Sequence, residues 1–292
     1  MRHSFACAIL VSASLASGAA FAQAPGAGAA SPAKCANPDA LGVSRTVEID
    51  TTGGPGFGFE HFKQHDFLRD KEVLLTFDDG PWPTTPKVLA ALADHCTKAT
   101  FFIIGKHATY YPEILKQVAQ GGHTIGSHTW SHADLGRKNI TPEQAKEEIE
   151  KGISAVNMSL GAQSAPFFRF VALRHPPALV TYLGERNIAI FSTDLDSFDF
   201  KARRPEQVVN AVMNKLKKSG KGIVLMHDFQ TQTAEALPEL LKQLKDGGYK
   251  VVHMRAKGTV QSMAKYDEMM KKEAKLPTVD QRPTASVVRT VD

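Results

Sequence analysis

The sequence predicts an α/β protein whose parallel sheet winds into a closed or nearly closed barrel of about seven strands. Seven short apolar runs follow one another from residue 72 onward, at 73–77, 100–104, 124–127, 167–170, 188–193, 223–226 and 251–254. They are mostly continuous rather than alternating and rich in Val, Ile and Phe, the texture of strands buried on both faces. Helical patterns with spaced apolar residues lie between them, at 86–95, 112–120, 142–160, 177–186, 205–218 and 234–245. Most open on a proline, and several stop at Gly121, Gly161, Gly220 or Gly247. No run is followed by a glycine-rich phosphate loop, so open nucleotide-binding sheets lose support and a barrel is the better arrangement for serial strand–helix units.

The elements before and after this alternation read differently. Arg2, an apolar stretch from Phe5 to Leu15 and the small-x-small run Ala20-Phe21-Ala22 have the form of a secretory signal, residues 1–22. That stretch is too short to span a bilayer, Cys7 is poorly placed for an anchor, and no later stretch is apolar enough to cross. Export to the periplasm or the medium, without a membrane anchor, is expected. Residues 23–70 read as a linker and irregular segment: Ala, Gly, Pro and Ser to 34, then little periodicity, with Gly53-Gly54-Pro55-Gly56-Phe57-Gly58 as loop. Residues 71–255 form the main domain, and 256–292 a tail with one helical stretch at 260–274.

Removal of the signal leaves Cys35 and Cys96, an even count in a compartment that permits oxidation. A bridge would join the N-terminal segment to the end of the first helix; the alternative is two separate buried thiols, and the bridge is favoured. The net charge of +5 and pI near 9.0 do not signal nucleic acid, because no Lys/Arg cluster interleaves with aromatics and the basic residues scatter over presumed helix faces. Oligomeric state is not legible.

In a parallel barrel, reactive side chains collect at the C-terminal ends of strands. Asp78 and Asp79 end the first run, His128 the third, Arg169 the fourth, Asp194 to Asp199 the fifth and His227 the sixth. Alone, Asp78-Asp79-Gly80-Pro81 is a turn signal, and two histidines four apart are a weak one. A second such pair, His61 and His65, has no strand before it and reads as surface; His95, His107, His123, His175 and His253 read as helix-end or loop residues. Gathered on one rim, His128, His132 and Asp79 would leave open positions on a borderline divalent ion, which is Lewis-acid hydrolysis. Asp78 is then free to act as base and His227 as acid. Arg169 can orient Asp78 through a paired hydrogen bond, and Asp199 can orient His227. Asp228 is a poorer partner for His227, since successive strand side chains point to opposite faces.

Thr76-Phe77-Asp78-Asp79-Gly80, Ser127-His128-Thr129-Trp130-Ser131-His132, Phe168-Arg169-Phe170, Asp196-Ser197-Phe198-Asp199-Phe200 and Leu225-Met226-His227-Asp228 resemble, in order, the five motifs of the polysaccharide deacetylases, or carbohydrate esterase family four. The resemblance runs from about Glu72 to Arg255 and makes 71–255 the catalytic domain. It implies a distorted, deacetylase-type (β/α) barrel and a divalent metal, most often zinc, with cobalt, nickel or manganese as alternatives. It also implies Asp78 as base, His227 as acid, and Asp79, His128 and His132 as ligands, with an oxyanion-binding backbone N–H near Ala172. Phe200 and Leu225 would contact an acetylated glycan, and Trp82 is a candidate for stacking on sugar. Two positions depart from the pattern: Val171 replaces a proline after the arginine, which loosens that loop, and Phe200 stands in place of tryptophan. The implied activity is removal of acetyl groups from a chitooligosaccharide, peptidoglycan or related N-acetylglucosamine polymer. The alternatives are a glycan-binding protein of the same fold and an O-acetyl esterase acting on a xylan-like polymer.

Overall fold

The computed structural model describes Met1 and residues 35–274. The expected signal peptide, the linker to residue 34 and the tail beyond 274 lie outside the described residues, apart from Met1. In chain order the elements are β1 (Arg45–Ile49), β2 (Gly56–Phe57), β3 (Glu72–Asp78), α1 (Thr85–Asp94), β4 (Thr100–Ile103), α2 (Gly105–Tyr110), α3 (Pro112–Gln120), β5 (Thr124–Ser127) and α4 (Pro142–Leu160). There follow β6 (Phe167–Phe168), α5 (Pro177–Glu185), β7 (Ala189–Phe191), β8 (Leu195–Asp196), α6 (Pro205–Ser219), β9 (Gly222–His227), α7 (Thr231–Asp246), β10 (Lys250–Ala256) and α8 (Ala264–Ala274).

Every ladder is parallel. The strands run β8–β9–β3–β4–β5–β6–β7–β2, and β10, carrying β1 on its other edge, joins β3 at Glu72 and Val73. Among the described residues no ladder joins β8 to β7, so the barrel is open there. The chain passes from β7 to β8 without a helix, because Thr193 and Asp194 turn it onto β9: the Thr193 hydroxyl and the Asp194 N–H both donate to the Ile223 carbonyl, at 2.8 and 3.0 Å.

Alternation along β3 sorts its side chains. Val73, Leu75 and Phe77 pack outward with Phe101, Val224 and Met226 beneath α1, α6 and α7. Leu74 faces inward with Phe102, Phe167, Phe191 and Ile223. Thr76 and Asp78 share that inner face nearer the C-terminal mouth, where they meet Arg169. Local rules fix the surrounding helices. α4 starts on a capping box, the Thr141 hydroxyl accepting from Gln144 N–H and the Thr141 N–H donating to the Gln144 side chain, and ends at Gly161 with φ +68°. α8 lies on α4 through Ser154–Asp267, Lys151–Glu273 and a small cluster of Trp130, Ala155 and Met270.

The segment 35–70 departs from its expected irregularity. β1 pairs with Val252–Ala256 of β10, and β2 pairs with β7. Arg45 on β1 donates to both carboxylate oxygens of the buried Glu72, at 2.8 and 2.6 Å, and the Arg69 N–H adds a third bond. Cys35 and Cys96 form a disulfide, with their Cα atoms 5.9 Å apart. Among the described residues no helix is long and apolar enough to cross a membrane.

Two outcomes follow. The Arg45 hydrogen bonds hold the Glu72 carboxyl at about 2, below its ordinary 4.5. Its stabilisation is therefore fully present above pH 4.5 and is lost as pH falls towards 2. Glu72→Gln should lower the melting temperature at neutral pH by a few degrees, corresponding to about 1–3 kcal/mol, with the gap from the parent closing in acid titration. The Cys35–Cys96 bridge closes a loop with a sequence separation of 61, which contributes about 4 kcal/mol in the chain-entropy model. Thiol counts on the unfolded chain should rise by two on reduction; equal counts before and after would exclude the bridge.

Candidate active site

The C-terminal mouth of the barrel gathers the polar groups. Asp78 and His227 are register partners at the ends of the adjacent strands β3 and β9. Asp78 keeps the extended course of β3, whereas Asp79 turns to φ +74°, a left-handed conformation that aspartate tolerates better than most residues. Two neighbouring carboxylates thereby point to different partners. Gly80 permits the turn, since a Cβ there would collide with the carboxylate of buried Asp228. Asp228 faces away from His227, accepts from the Thr85 hydroxyl at 2.5 Å, and has its pKa raised to about 7, chiefly by burial.

Asp78 Oδ1 accepts from Arg169 Nη1 at 2.8 Å. The expected paired bond is a single one, because the other donors of this fully buried guanidinium are engaged elsewhere. Nη1 also reaches the Thr76 hydroxyl, Nε the Phe191 carbonyl and Nη2 the Ser192 carbonyl, at 2.8, 3.2 and 2.9 Å. The Phe102 ring covers its face at 4.3 Å.

His128 and His132 are not on a helix. They lie in the loop after β5, where Thr129 and His132 take φ of +67° and +61° and fold the two rings to 5.3 Å of each other. His128 Nδ1 donates to the Arg169 carbonyl at 2.8 Å, which leaves Nε2 as the lone-pair atom. That Nε2 stands 3.5 Å from Asp79 Oδ1, so two acceptors face one another. His132 Nε2 is 3.1 Å from the same oxygen, which is buried and has no well-aligned hydrogen-bond donor. Burial lowers the His128 pKa despite the nearby acids, while the contact with Asp79 raises that of half-exposed His132. Burial works against the Asp79 carboxylate, but His132, His128 and His227 together outweigh it and hold its pKa at about 2. The ligand atoms of Asp79, His128 and His132 all lie within 4.8 Å of one another. An orphaned carboxylate oxygen facing an imidazole lone pair is a donor set that fits a divalent cation.

On the other flank, His227 Nδ1 donates to Asp199 Oδ1 at 2.6 Å, and its backbone N–H to Asp199 Oδ2 at 2.7 Å. Thr233 and the Phe200 N–H complete the hold on that buried carboxylate. Burial opposes the His227 imidazolium, yet Asp199 and the more distant Asp79 and Asp78 raise its pKa to about 9. His227 Nε2 is 4.0 Å from Asp79 Oδ2.

A cleft of about 350 Å³ opens beside Asp78, with Ala172 and Phe170 on one wall and Phe200, Leu225 and Asp196 on the other. Phe200 is 50% exposed and stands edge-on to His227. Without its proline, the loop after Arg169 is closed by Leu173 N–H to Phe170 O at 3.1 Å and Arg174 N–H to Val171 O at 3.3 Å, with Ala172 and Leu173 both at φ +52°. Trp82 packs on His107 and Tyr111, at 4.8 and 5.2 Å between ring centroids. Trp130 is buried under α8.

Two groups escaped the sequence reading. His107, on the short α2, donates from Nδ1 to the Asp79 carbonyl at 2.6 Å and so braces the left-handed turn; its place one turn beyond the end of β4 was the available signal. His61 is exposed, as expected, but its place beside Glu60 on the cleft was not foreseen.

The sequence model for polysaccharide deacetylases matches residues 66–187. A peptidoglycan-N-acetylglucosamine deacetylase of Bacillus cereus is 34% identical over 189 residues, covering 62% of this chain and 66% of that protein. A solved structure of a Bdellovibrio bacteriovorus peptidoglycan deacetylase is similar at 34% identity and a TM-score of 0.66, over 73% of this chain and 59% of that one. A second, of the Bc1960 peptidoglycan N-acetylglucosamine deacetylase, has 30% identity and a TM-score of 0.58, over 65% and 87%. The chain spans 38% to 66% of the length of the first curated relatives it matches. With the ordered motifs meeting at one barrel mouth, these likenesses settle the family: the chain belongs to the polysaccharide deacetylases.

Proposed function

We propose that this chain is a metal-dependent hydrolase that removes acetyl groups from an N-acetylated glycan, leaving a free amine and acetate. The observation that carries this reading is the flanking of one cation-ready cluster by a carboxylate and an imidazole. Asp78 and His227 end adjacent strands and stand on either side of Asp79, His128 and His132. The relatives named for peptidoglycan N-acetylglucosamine and for chitooligosaccharide support an N-acetylglucosamine polymer as substrate.

Asp79, His128 and His132 would hold the metal, for which zinc suits two imidazoles and a carboxylate. When bound, it supplies Lewis-acid polarisation of the acetyl group. The remaining work falls to the protein. Asp78, aimed by Arg169, takes a proton as the oxygen of water bonds to the acetyl carbon. His227, held protonated by Asp199 at neutral pH, gives its proton to the nitrogen as the carbon–nitrogen bond breaks. The backbone near Ala172 lies on the cleft wall where a developing oxyanion can be received. Leu225 and Phe200 shape the space for the acetyl group and the sugar. Residues 71–255 constitute the catalytic domain in this reading, and export to the periplasm or the medium agrees with the signal-like start and the disulfide.

Asp78→Asn should keep a parent-like zinc content, measured by elemental analysis, and lose about a hundred- to ten-thousand-fold in acetate release. His128→Ala should lose the zinc as well. Normal rates for Asp78→Asn on a chitooligosaccharide that the parent deacetylates would sink the assignment of the base. An amine leaves only once protonated, whereas an alkoxide depends less on the acid. His227→Ala should therefore slow acetate release from a chitooligosaccharide far more than from acetylxylan, and equal losses on both would remove His227 from the acid role.

A further inference from the structure

One wall of the cleft comes from the segment that precedes the first long strand, outside the residues the family model matches. β2 ladders onto Ile190 and Phe191 of β7. At Gly58, with φ +98°, the chain lies flush against the backbone of Ser192 and Thr193, where a Cβ would come within 2.7 Å of both. A turn then closes through Phe62 N–H to Gly58 O at 2.7 Å, and Glu60 N–H donates to the Thr193 carbonyl at 3.1 Å. Glu60 and His61 are thus placed by backbone bonds to β7's own extension. His61 Nδ1 is 2.7 Å from the hydroxyl of fully buried Ser192, and its ring lies 4.5 Å from that of His175, which Phe62 and Phe170 box in. The Ser192 carbonyl is at the same time an acceptor for Arg169. One residue therefore registers His61 against the guanidinium that aims Asp78.

We propose that His61 and Glu60 form a glycan subsite that hydrogen-bonds hydroxyls of the sugar unit next to the one losing its acetyl group. The proposal rests on the deacetylase reading. An exposed imidazole with one nitrogen tied to Ser192 offers its other nitrogen to a ligand. The Glu60 carboxylate, which makes no side-chain hydrogen bond or ion pair among the described residues, offers an acceptor beside it. An acceptor and an imidazole nitrogen set side by side suit the adjacent hydroxyls of a pyranose. In this proposal one sugar unit sits beside Asp78 and the next reaches Glu60 and His61 along the same cleft, so the chain should favour oligosaccharides over the monosaccharide.

The test uses the full metal-loaded protein with tetra-N-acetylchitotetraose, read by acetate release and by calorimetric titration. Losing one such hydrogen bond should raise KM about 3- to 10-fold in His61→Ala, with kcat within about twofold of the parent and a matching loss of affinity. His61→Gln should recover part of the loss, and the preference for the tetramer over N-acetylglucosamine should narrow in His61→Ala. Unchanged KM and affinity in His61→Ala would overturn the subsite, as would a fall in kcat at constant KM. Should His61→Ala melt far below the parent, Glu60→Ala carries the same measurements, because that side chain makes no hydrogen bond or ion pair among the described residues. A parent that keeps its metal yet neither binds nor deacetylates the tetramer would instead overturn the deacetylase reading, and the subsite with it.

Discussion

The buried guanidinium of Arg169 is the constraint on which the rest of the site depends. Burying a cation without compensation is very costly, and here the compensation is also what assembles the site. Its donors draw on the ends of β3 and β7 and on Ser192, while its own backbone carbonyl fixes the tautomer of His128. Asp78, His128 and the strand ends they stand on are thus set by a single side chain. Substitution by lysine would keep a charge but give up the planar fork that reaches several acceptors at once.

The second organising device is the turn after β3. Because Asp78 remains extended and Asp79 is left-handed, two adjacent acids serve separate environments. Asp79 joins the imidazoles, Asp78 the guanidinium, and His107 holds the peptide between Asp79 and Gly80 from behind. Asp228 closes the underside, where only a glycine at position 80 leaves room.

The sequence showed the long-period features well, since strands buried on both faces leave unbroken apolar runs and the motif residues sit where those runs end. What it hid was short or tertiary. β1 is five residues of mixed polarity, with a partner strand some two hundred positions later that supplies its meaning. β2 has two residues amid glycines, and α2 has six, too few for any helical period to emerge. His61 is at the surface as read, but its bond to Ser192, 131 positions away, could not be seen in the chain around it. The pair His128 and His132 was found by its place after a buried strand, on a rim with a spare carboxylate; a loop and not a helix brings the rings together.

The placement of β1 has a consequence for how far this chain can be trimmed. A version begun at residue 66, where the family match starts, would retain every proposed proton-transfer group and every candidate ligand. It would also strip β10 of its outer neighbour and lay open the unpaired edge of an apolar strand, Val252 to Met254. Such an edge is a template for pairing with other chains, so the shortened protein would trade solubility for minimality. The upstream segment is in that sense a guard for the sheet, and the boundary of the homologous region is a poor place to cut.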